Sequence, residues 1–554
     1  MARTSSPKPS LTIAGPGAGK THKMVERIVA RLPELAQNRY LAGITFTNAA
    51  CNSIQDRLLK SSGCGPNVFI GTFHSFANRF IIAPFADMKG SLPEERLFCG
   101  IDIRELVNES ERLSQKKLTP DLRSILRGRI IKSLIKKGVV PYDEIIRLSV
   151  ELLGDQRLRE CVCRRLQFLF IDELQDADTR HLRLFEHIRK AGYTRIDAVG
   201  DPEQYIYTFT YHERSAVAPK TFLKIPFFRF KQKANCTFDL NNRRSCQEIV
   251  DFTNHFRGEI LHSEVGFRGE PRVLFIEDTE LVQIVPRFRE QADRIPAEQR
   301  KRHQRQRLYL GFENATFDEV ASRFGIRRLS IGAREKKTLL QASLALLALC
   351  HGSSSRKVCT ELGLDEHNWR KLGLELLHQV RDDHIQEAAT FTERWLPRLR
   401  VSDLQERREA VADGFDELRN AFSTTRQLQW IDWSSSINKA KGLEAIAVLA
   451  VASNLNQLQK WCMMDRTQRN ADTTDTCRLG FVAFSRPMEL LCIACLKPLD
   501  NQTRSDLQNL DVTFLPRRGL MGSSYTPLLP FGSAVEQPSP PASAAYVPPL
   551  GNPY

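Results

Sequence analysis

The chain of 554 residues lacks any apolar run approaching the ~18 residues that a membrane-spanning helix needs, so no span is expected. Its opening stretch, Met1 to Pro7, has no apolar core, which argues against a secretory leader. No internal repeat is visible. Thirteen cysteines are present, yet none sits in a convincing metal frame. Cys161-Val162-Cys163 lies in an Arg-rich segment with no second pair at zinc-finger spacing. Cys492-Ile493-Ala494-Cys495 lies inside the apolar run 490–496, which reads as a buried strand. Reduced core thiols in a cytoplasmic protein are the simpler expectation, without a structural metal.

Positive charge is abundant. Lys+Arg number 80 against 65 Asp+Glu, a net +15. Such an excess favours a polyanionic partner, most simply nucleic acid; a merely basic soluble surface is the bland alternative, and charge alone does not decide between them. The length allows about two to four domains, and a hydrophobic content of 42% can fill their cores.

Short apolar runs at 41–47, 68–73, 167–172 and 195–200 alternate with helical stretches, the rhythm of a parallel α/β sheet. Residues 86–160 break it with a charged helical insertion that gathers Arg123, Arg127, Arg129, Lys132, Lys136 and Lys137. A second α/β region is expected from about Asn235, with strands at 271–276, at 445–451 and around 481–484. A charged helical stretch at about 285–425, including the basic run 299–307, interrupts it. From about Leu520 the chain is rich in Pro, Ser, Ala and Gly, which predicts a disordered tail.

Ala14-Gly15-Pro16-Gly17-Ala18-Gly19-Lys20-Thr21 follows a short apolar run and precedes a helical one. It matches the Walker A pattern except that Ala14 stands where the first glycine is usual. In such a loop backbone N–H groups wrap a triphosphate, the helix N-terminus adds partial positive charge, Lys20 reaches the β and γ phosphates and Thr21 ligates Mg²⁺. A loop that only turns the chain is the bland alternative. Asp172-Glu173 closes another strand. Asp172 can hold Mg²⁺ on the phosphates, and Glu173 can orient or deprotonate the attacking water. Gln204 follows a further strand and can report on a γ-phosphate. Tyr205, Tyr207, Phe209 and Tyr211 crowd just beyond it, either a stacking platform for bases or a core cluster.

The order of these segments resembles the superfamily-one helicases of the UvrD/Rep type. Ile44-Thr45-Phe46-Thr47-Asn48-Ala49-Ala50 resembles motif Ia, and Gly71-Thr72-Phe73-His74-Ser75-Phe76 resembles motif Ib. Asp172-Glu173-Leu174-Gln175-Asp176 matches motif II, and 200–207 resembles motif III. Asn242-Arg243-Arg244-Ser245, 436–444 and 478–486 resemble motifs IV, V and VI. The resemblance implies an α/β fold of two RecA-like P-loop domains, 1–225 and 226–519, with accessory insertions similar to domains 1B and 2B and a tail at 520–554. It implies ATP and Mg²⁺ as cofactors, with ATP in the cleft between the domains. Arg244 and Arg486 would act as arginine fingers and Glu444 would sit near the ribose. Thr47, Asn48, Thr72, Phe73, His74, Tyr207, Phe209 and Asn438 would contact single-stranded or partly duplex DNA, with 3′ to 5′ movement.

The sequence departs from that pattern in places. No glutamine precedes the P-loop, so either the chain begins upstream of Met1 or adenine is read loosely. Ala49 replaces a lysine, Asn438 a histidine, Thr210 an arginine and Arg243 a stacking tyrosine. The hydrolytic residues are intact, which argues against a structural nucleic-acid-binding protein with a dead ATP site. The altered DNA contacts and short insertions also resemble compact helicase subunits of antiphage systems such as Gabija, which act beside a nuclease. No nuclease motif is seen in this chain, so cutting would fall to a partner nuclease. A DNA-repair protein is the other partner expected, and no membrane is.

Overall fold

The computed structural model describes residues 8–61, 65–85, 98–101, 103–114, 119–206, 222–300, 306–329, 339–382, 384–420, 430–472 and 474–517. Strands β1 (Ser10–Ala14), β2 (Tyr40–Thr45), β3 (Val68–Thr72), β4 (Leu166–Ile171), β5 (Arg195–Gly200) and β6 (Asn235–Asp239) form one sheet, ordered β3-β2-β4-β5-β1-β6. A second sheet holds β7 (Val273–Ile276), β8 (Gln306–Gly311), β9 (Arg327–Arg328), β10 (Ile431–Ser436), β11 (Ala445–Ala452), β12 (Pro487–Cys495) and β13 (Thr513–Leu515). Its order is β9-β10-β8-β11-β12-β7-β13. Every pairing in both sheets is parallel. Parallel strands are covered on both faces, which is why β11 and β12 are apolar and buried along nearly their whole length. Cys492 and Cys495 are part of that buried strand.

Three boundaries differ from the sequence expectation. Asn235–Asp239 is not the start of the second lobe. It is the edge strand of the first sheet, paired with β1 from Ser10↔Asn235 to Ala14↔Asp239. Its mostly exposed, polar residues hid it. The expected insertion from about 285 also begins too early, because 306–311 is an inner strand of the second sheet. Its basic lead-in obscured it, yet Arg307 is buried, bonded to Asp293, 3.6 Å from Asp432 and stacked 4.3 Å from the Trp430 ring centroid. Finally, 481–484 is not a strand but the end of helix Thr476–Phe484. Every residue from Cys477 to Phe484 is buried, so no helical period was visible. The insertion expected at 86–160 is helical but also carries a short parallel pair, Phe98–Ile101 with Val139–Pro141. The tail from 520 lies outside the described residues.

The second insertion is a set of helices, Leu339–His351, Ser355–Leu362, Glu366–Arg381, Ala388–Trp395 and Arg408–Asn420. Along the chain it interrupts the second sheet. In space it packs on the first lobe. Leu346, Leu347, Trp369 and Leu377 share one hydrophobic core with Ile54, Leu58 and Leu59 of helix Asn48–Ser61. Leu339 N donates to Asp56 Oδ1 at 2.9 Å and Arg381 Nη1 to Leu59 O at 3.4 Å. The insertion thus belongs to the second sheet's stretch of chain but packs on the first lobe.

Candidate nucleotide site

In a parallel sheet the loops at the carboxyl ends of the strands converge. Here those loops carry the P-loop after β1, Thr47 and Asn48 after β2, Asp172 and Glu173 after β4, and Asp201 to Gln204 after β5. The second lobe faces them with 242–244, 438–444 and 486. Between them lies a cleft of about 760 Å³ lined by Lys20, Thr21, Thr47, Asp172, Glu173, Gln204, Arg243, Arg244, Lys441, Glu444 and Arg486 among others, but not by Asn48 or Asn438.

The P-loop shape follows from its glycines. Gly17 and Gly19 have φ of +72° and +74°, a region that side chains rarely adopt. A Cβ at Gly17 would also stand 2.3 Å from Asn242 Oδ1. Lys20 then opens the helix Lys20–Arg31, and its Nζ donates to Ala14 O and Gly15 O at 3.3 Å each. Burial lowers the Lys20 ammonium from its ordinary value, against the pull of Glu173, Asp201 and Asp172. Ala14, Pro16 and Ala18 are buried along the same loop.

Thr21 Oγ1 donates to Asp172 Oδ2 at 3.3 Å. A hydroxyl and a carboxylate are hard oxygen donors suited to Mg²⁺, which takes its remaining ligands from phosphates and water. Among the described residues no group of three or more His, Cys, Asp or Glu forms a metal cage. Burial, and then Glu173, push the Asp172 carboxyl up to about 7.

Glu173 adopts φ +53°, left-handed for a non-glycine residue. Its N–H is held by Asp172 Oδ1 at 2.9 Å, and its Oε2 accepts from Gln175 Nε2. Burial works to raise Glu173, but Lys20, Lys441, the Gln175 bond and Arg486 together hold it below the usual carboxylate range. From Glu173 a chain of hydrogen bonds crosses the cleft. Gln175 Oε1 accepts from Asp201 N at 2.9 Å, Gln204 Nε2 donates to Asp201 Oδ2 at 2.8 Å, and Arg486 Nη2 donates to Gln204 Oε1 at 3.0 Å. Arg486 is fixed further by Val482 O at 2.9 Å and Leu443 O at 3.2 Å. Its burial, with Arg244 nearby, lowers the guanidinium to about 9. Arg244 donates to Ser485 O, lies 3.6 Å from Glu444 Oε2, and is lowered by burial.

Sequence reasoning quoted Lys441 and Asp176 only as parts of motifs. The structure brings them together, with Lys441 Nζ donating to Asp176 Oδ1 at 2.6 Å and Oδ2 at 2.7 Å. It also missed that Arg243 binds the P-loop. Arg243 N donates to Gly17 O at 2.9 Å and Nη1 to Ala18 O at 2.7 Å. Neither contact has a local sequence signal, because both cross the lobes.

The expected strand-binding residues divide. Thr47 and Asn48 are exposed, Asn438 is half-buried, and Thr72 caps helix Phe73–Ala77 through Ser75 N at 3.2 Å. His74 stacks on Tyr142, centroids 3.8 Å apart and planes at 18°. Phe73 is a correction. It is 1% exposed and packs against Phe46 and His181 at 4.3 and 4.9 Å, so it is core and cannot line a groove. Helices place every third or fourth side chain inward, and here that position is Phe73. Tyr207 and Phe209 lie outside the described residues. On helix Pro120–Lys136, Arg123 and Arg127 bond Asn108 and Asp143, while Arg129, Lys132 and Lys136 are exposed. Of the basic run at 299–307, residues 301–305 lie outside the described residues.

A mixed α/β fold with parallel sheets, a glycine-rich loop opening a helix and a hydroxyl–carboxylate pair beside it fit a P-loop nucleoside-triphosphatase architecture. Residues 1–210 match a family model described as an AAA domain. The chain is 28% identical over 258 residues to Gabija protein GajB of Bacillus cereus (strain VD045), covering 45% of this chain and 46% of that protein. It is 27% identical over 234 residues to the ATP-dependent DNA helicase PcrA of Bacillus subtilis (strain 168), covering 36% and 31%. It is 25% identical over 316 residues to the ATP-dependent DNA helicase Rep of Escherichia coli (strain K12), covering 49% and 45%. The chain therefore resembles UvrD-type DNA helicases and Gabija GajB, and each alignment spans less than half of the relative's length.

Proposed function

We propose that the chain hydrolyses ATP with Mg²⁺ between two RecA-like lobes and uses the cycle to move 3′ to 5′ along single-stranded DNA, unwinding duplex ahead of it. Thr21 and Asp172 hold the cation. Lys20 binds the β and γ phosphates, and Glu173 orients the attacking water. Gln204 contacts the γ-phosphate, and Arg244 and Arg486 stabilise the charge that develops there. Glu444 sits by the ribose. Thr47, Asn48, Thr72, His74 and Asn438 contact the strand, and the two insertions act as 1B- and 2B-like accessory domains on the duplex. The observation that carries this reading is the hydrogen-bond chain from Glu173 to Arg486. Chemistry that needs both lobes is tied to their closure, and closure is a step.

A second reading is a DNA-activated ATPase that regulates a partner nuclease without processive unwinding. The burial of Phe73, together with Ala49 and Asn438, favours it by thinning the strand contacts. Phosphate release with and without single-stranded oligonucleotide tests both readings. Stimulation by DNA is expected, and equal rates overturn the coupling. Strand displacement from a tailed duplex separates the motor from the regulator.

A further inference from the structure

Another arginine of the second lobe, Arg257, reaches the first. Arg257 follows helix Gln247–Asn254, whose Ile249 and Phe252 belong to the second lobe's core. Its side chain is only 1% exposed, and its Nη2 lies 3.9 Å from Oδ1 of the fully buried Asp201 and 3.6 Å from Glu259 Oε2. On its other side the guanidinium lies against the P-loop. A Cβ at Gly15 would stand 2.5 Å from Arg257 Nη1 and 2.5 Å from Leu261 Cδ2. Nε and Nη1 have no hydrogen-bond partner among the described residues. A guanidinium kept dry with unmatched donors and a loose ion pair is a poor stabilising device. Its neighbours are better bonded, and Arg478, which also reaches the first lobe, does so by stacking 3.8 Å from the Phe222 ring centroid rather than at the P-loop. Arg469 donates to Trp461 O and Cys477 O, and Arg478 donates to Arg469 O, all within the second lobe.

We propose that Arg257 is a positioning residue for hydrolysis, bracing the P-loop at Gly15 and the turn at Asp201 as one unit when the lobes are together. The inference rests on the reading of the cleft as an ATPase site. Asp201 is the anchor of Gln204, which meets Arg486. Arg257 therefore acts on the phosphate site from two sides, through the loop that binds the phosphates and through the side chain that faces the γ position. The planar fork can cover the Gly15 backbone, which has no Cβ to hold it off, while its charge faces Asp201.

The test compares the full-length chain with Arg257→Gln and Arg257→Lys in steady-state phosphate release under saturating single-stranded DNA, with thermal unfolding alongside. Losing a charged contact that acts in the reactive geometry should lower kcat of Arg257→Gln about tenfold or more, with a smaller change in KM. Arg257→Lys should recover part of kcat, because the ammonium keeps the charge but not the fork. Adding Asp201→Asn to Arg257→Gln should cost less than the product of the separate losses. A kcat for Arg257→Gln within about twofold of wild type overturns the proposal. So does an Arg257→Lys protein no more active than Arg257→Gln. If Arg257→Gln fails to fold, a folded Arg257→Lys protein with wild-type kcat also overturns it. A wild-type chain that releases no phosphate fails the ATPase reading instead, and the proposal falls with it.

Discussion

Lys441 and Asp176 form a two-point ion pair across the lobes, at 2.6 and 2.7 Å, with side chains 7% and 3% exposed. Asp176 directly follows Gln175, which holds Glu173, so this bridge fixes the acid turn to the segment that carries Glu444. Removing one partner strands a buried charge. Lys441→Met or Asp176→Asn should each cost about 3–5 kcal/mol, while the double substitution should cost less than the two together. Urea unfolding of the four proteins checks this, and additive losses would show that the pair is not coupled.

Glu173→Gln should retain ATP binding and lose most turnover, a barrier increase on the order of a few kcal/mol. Lys20→Ala should instead weaken nucleotide binding. Equilibrium binding of a fluorescent ATP analogue, read beside phosphate release, separates the two. Hydrolysis by Glu173→Gln at the wild-type rate would remove Glu173 from its assigned role.

Asp172 carries a stability signature. Its folded pKa, about 7, lies above the ordinary carboxylate value of 3.8. Between those values the folded state binds the proton that the unfolded chain has lost, so this group's contribution falls as pH rises through the window. Without Mg²⁺ and nucleotide, Asp172→Asn should therefore melt higher than wild type near pH 7.5 and match it more closely near pH 4. Adding Mg²⁺ and ATP should stabilise wild type more than the variant. Parallel pH–Tm curves for the two proteins would contradict this.

Phe73 and His74 are adjacent but should behave differently. Phe73→Ala should destabilise the fold by about 3–5 kcal/mol, as deletion of a core aromatic does. His74→Ala should leave stability nearly unchanged and weaken single-stranded DNA binding. Urea unfolding and fluorescence anisotropy with a labelled oligonucleotide read the two effects. A soluble, stable Phe73→Ala protein with lost DNA binding would reverse the assignment.

Base selectivity should be weak. Arg243 stands where an aromatic would stack, and it is engaged by Ala18 O and by Glu264 at 3.1 Å. GTP should be used within about tenfold of ATP, since one lost base contact forfeits roughly 1–2 kcal/mol of selectivity. A ratio of kcat/KM values of several hundredfold in favour of ATP would mean that another residue reads adenine.

The strand–loop–helix at 10–31, the acids after β4 and the buried strands at 445–452 and 487–495 were legible because their chemistry is local. A glycine loop, a strand-end carboxylate and an unbroken apolar run each announce themselves within a few residues. Where the local signal was ambiguous, only tertiary structure decided. Residues 476–484 are apolar on every side, so burial erased the helical period. The strand at 235–239 is polar because it lies at an edge, and Arg307 is basic inside a core strand because Asp293 and Asp432 neutralise it. Phe73 adjoins the proposed strand contacts Thr72 and His74 in sequence but is buried in the core against Phe46. The relay to Arg486, the Lys441–Asp176 bridge and the seat of Arg257 on Gly15 join segments hundreds of residues apart, and no periodicity can encode a contact that forms only when two distinct sheets meet.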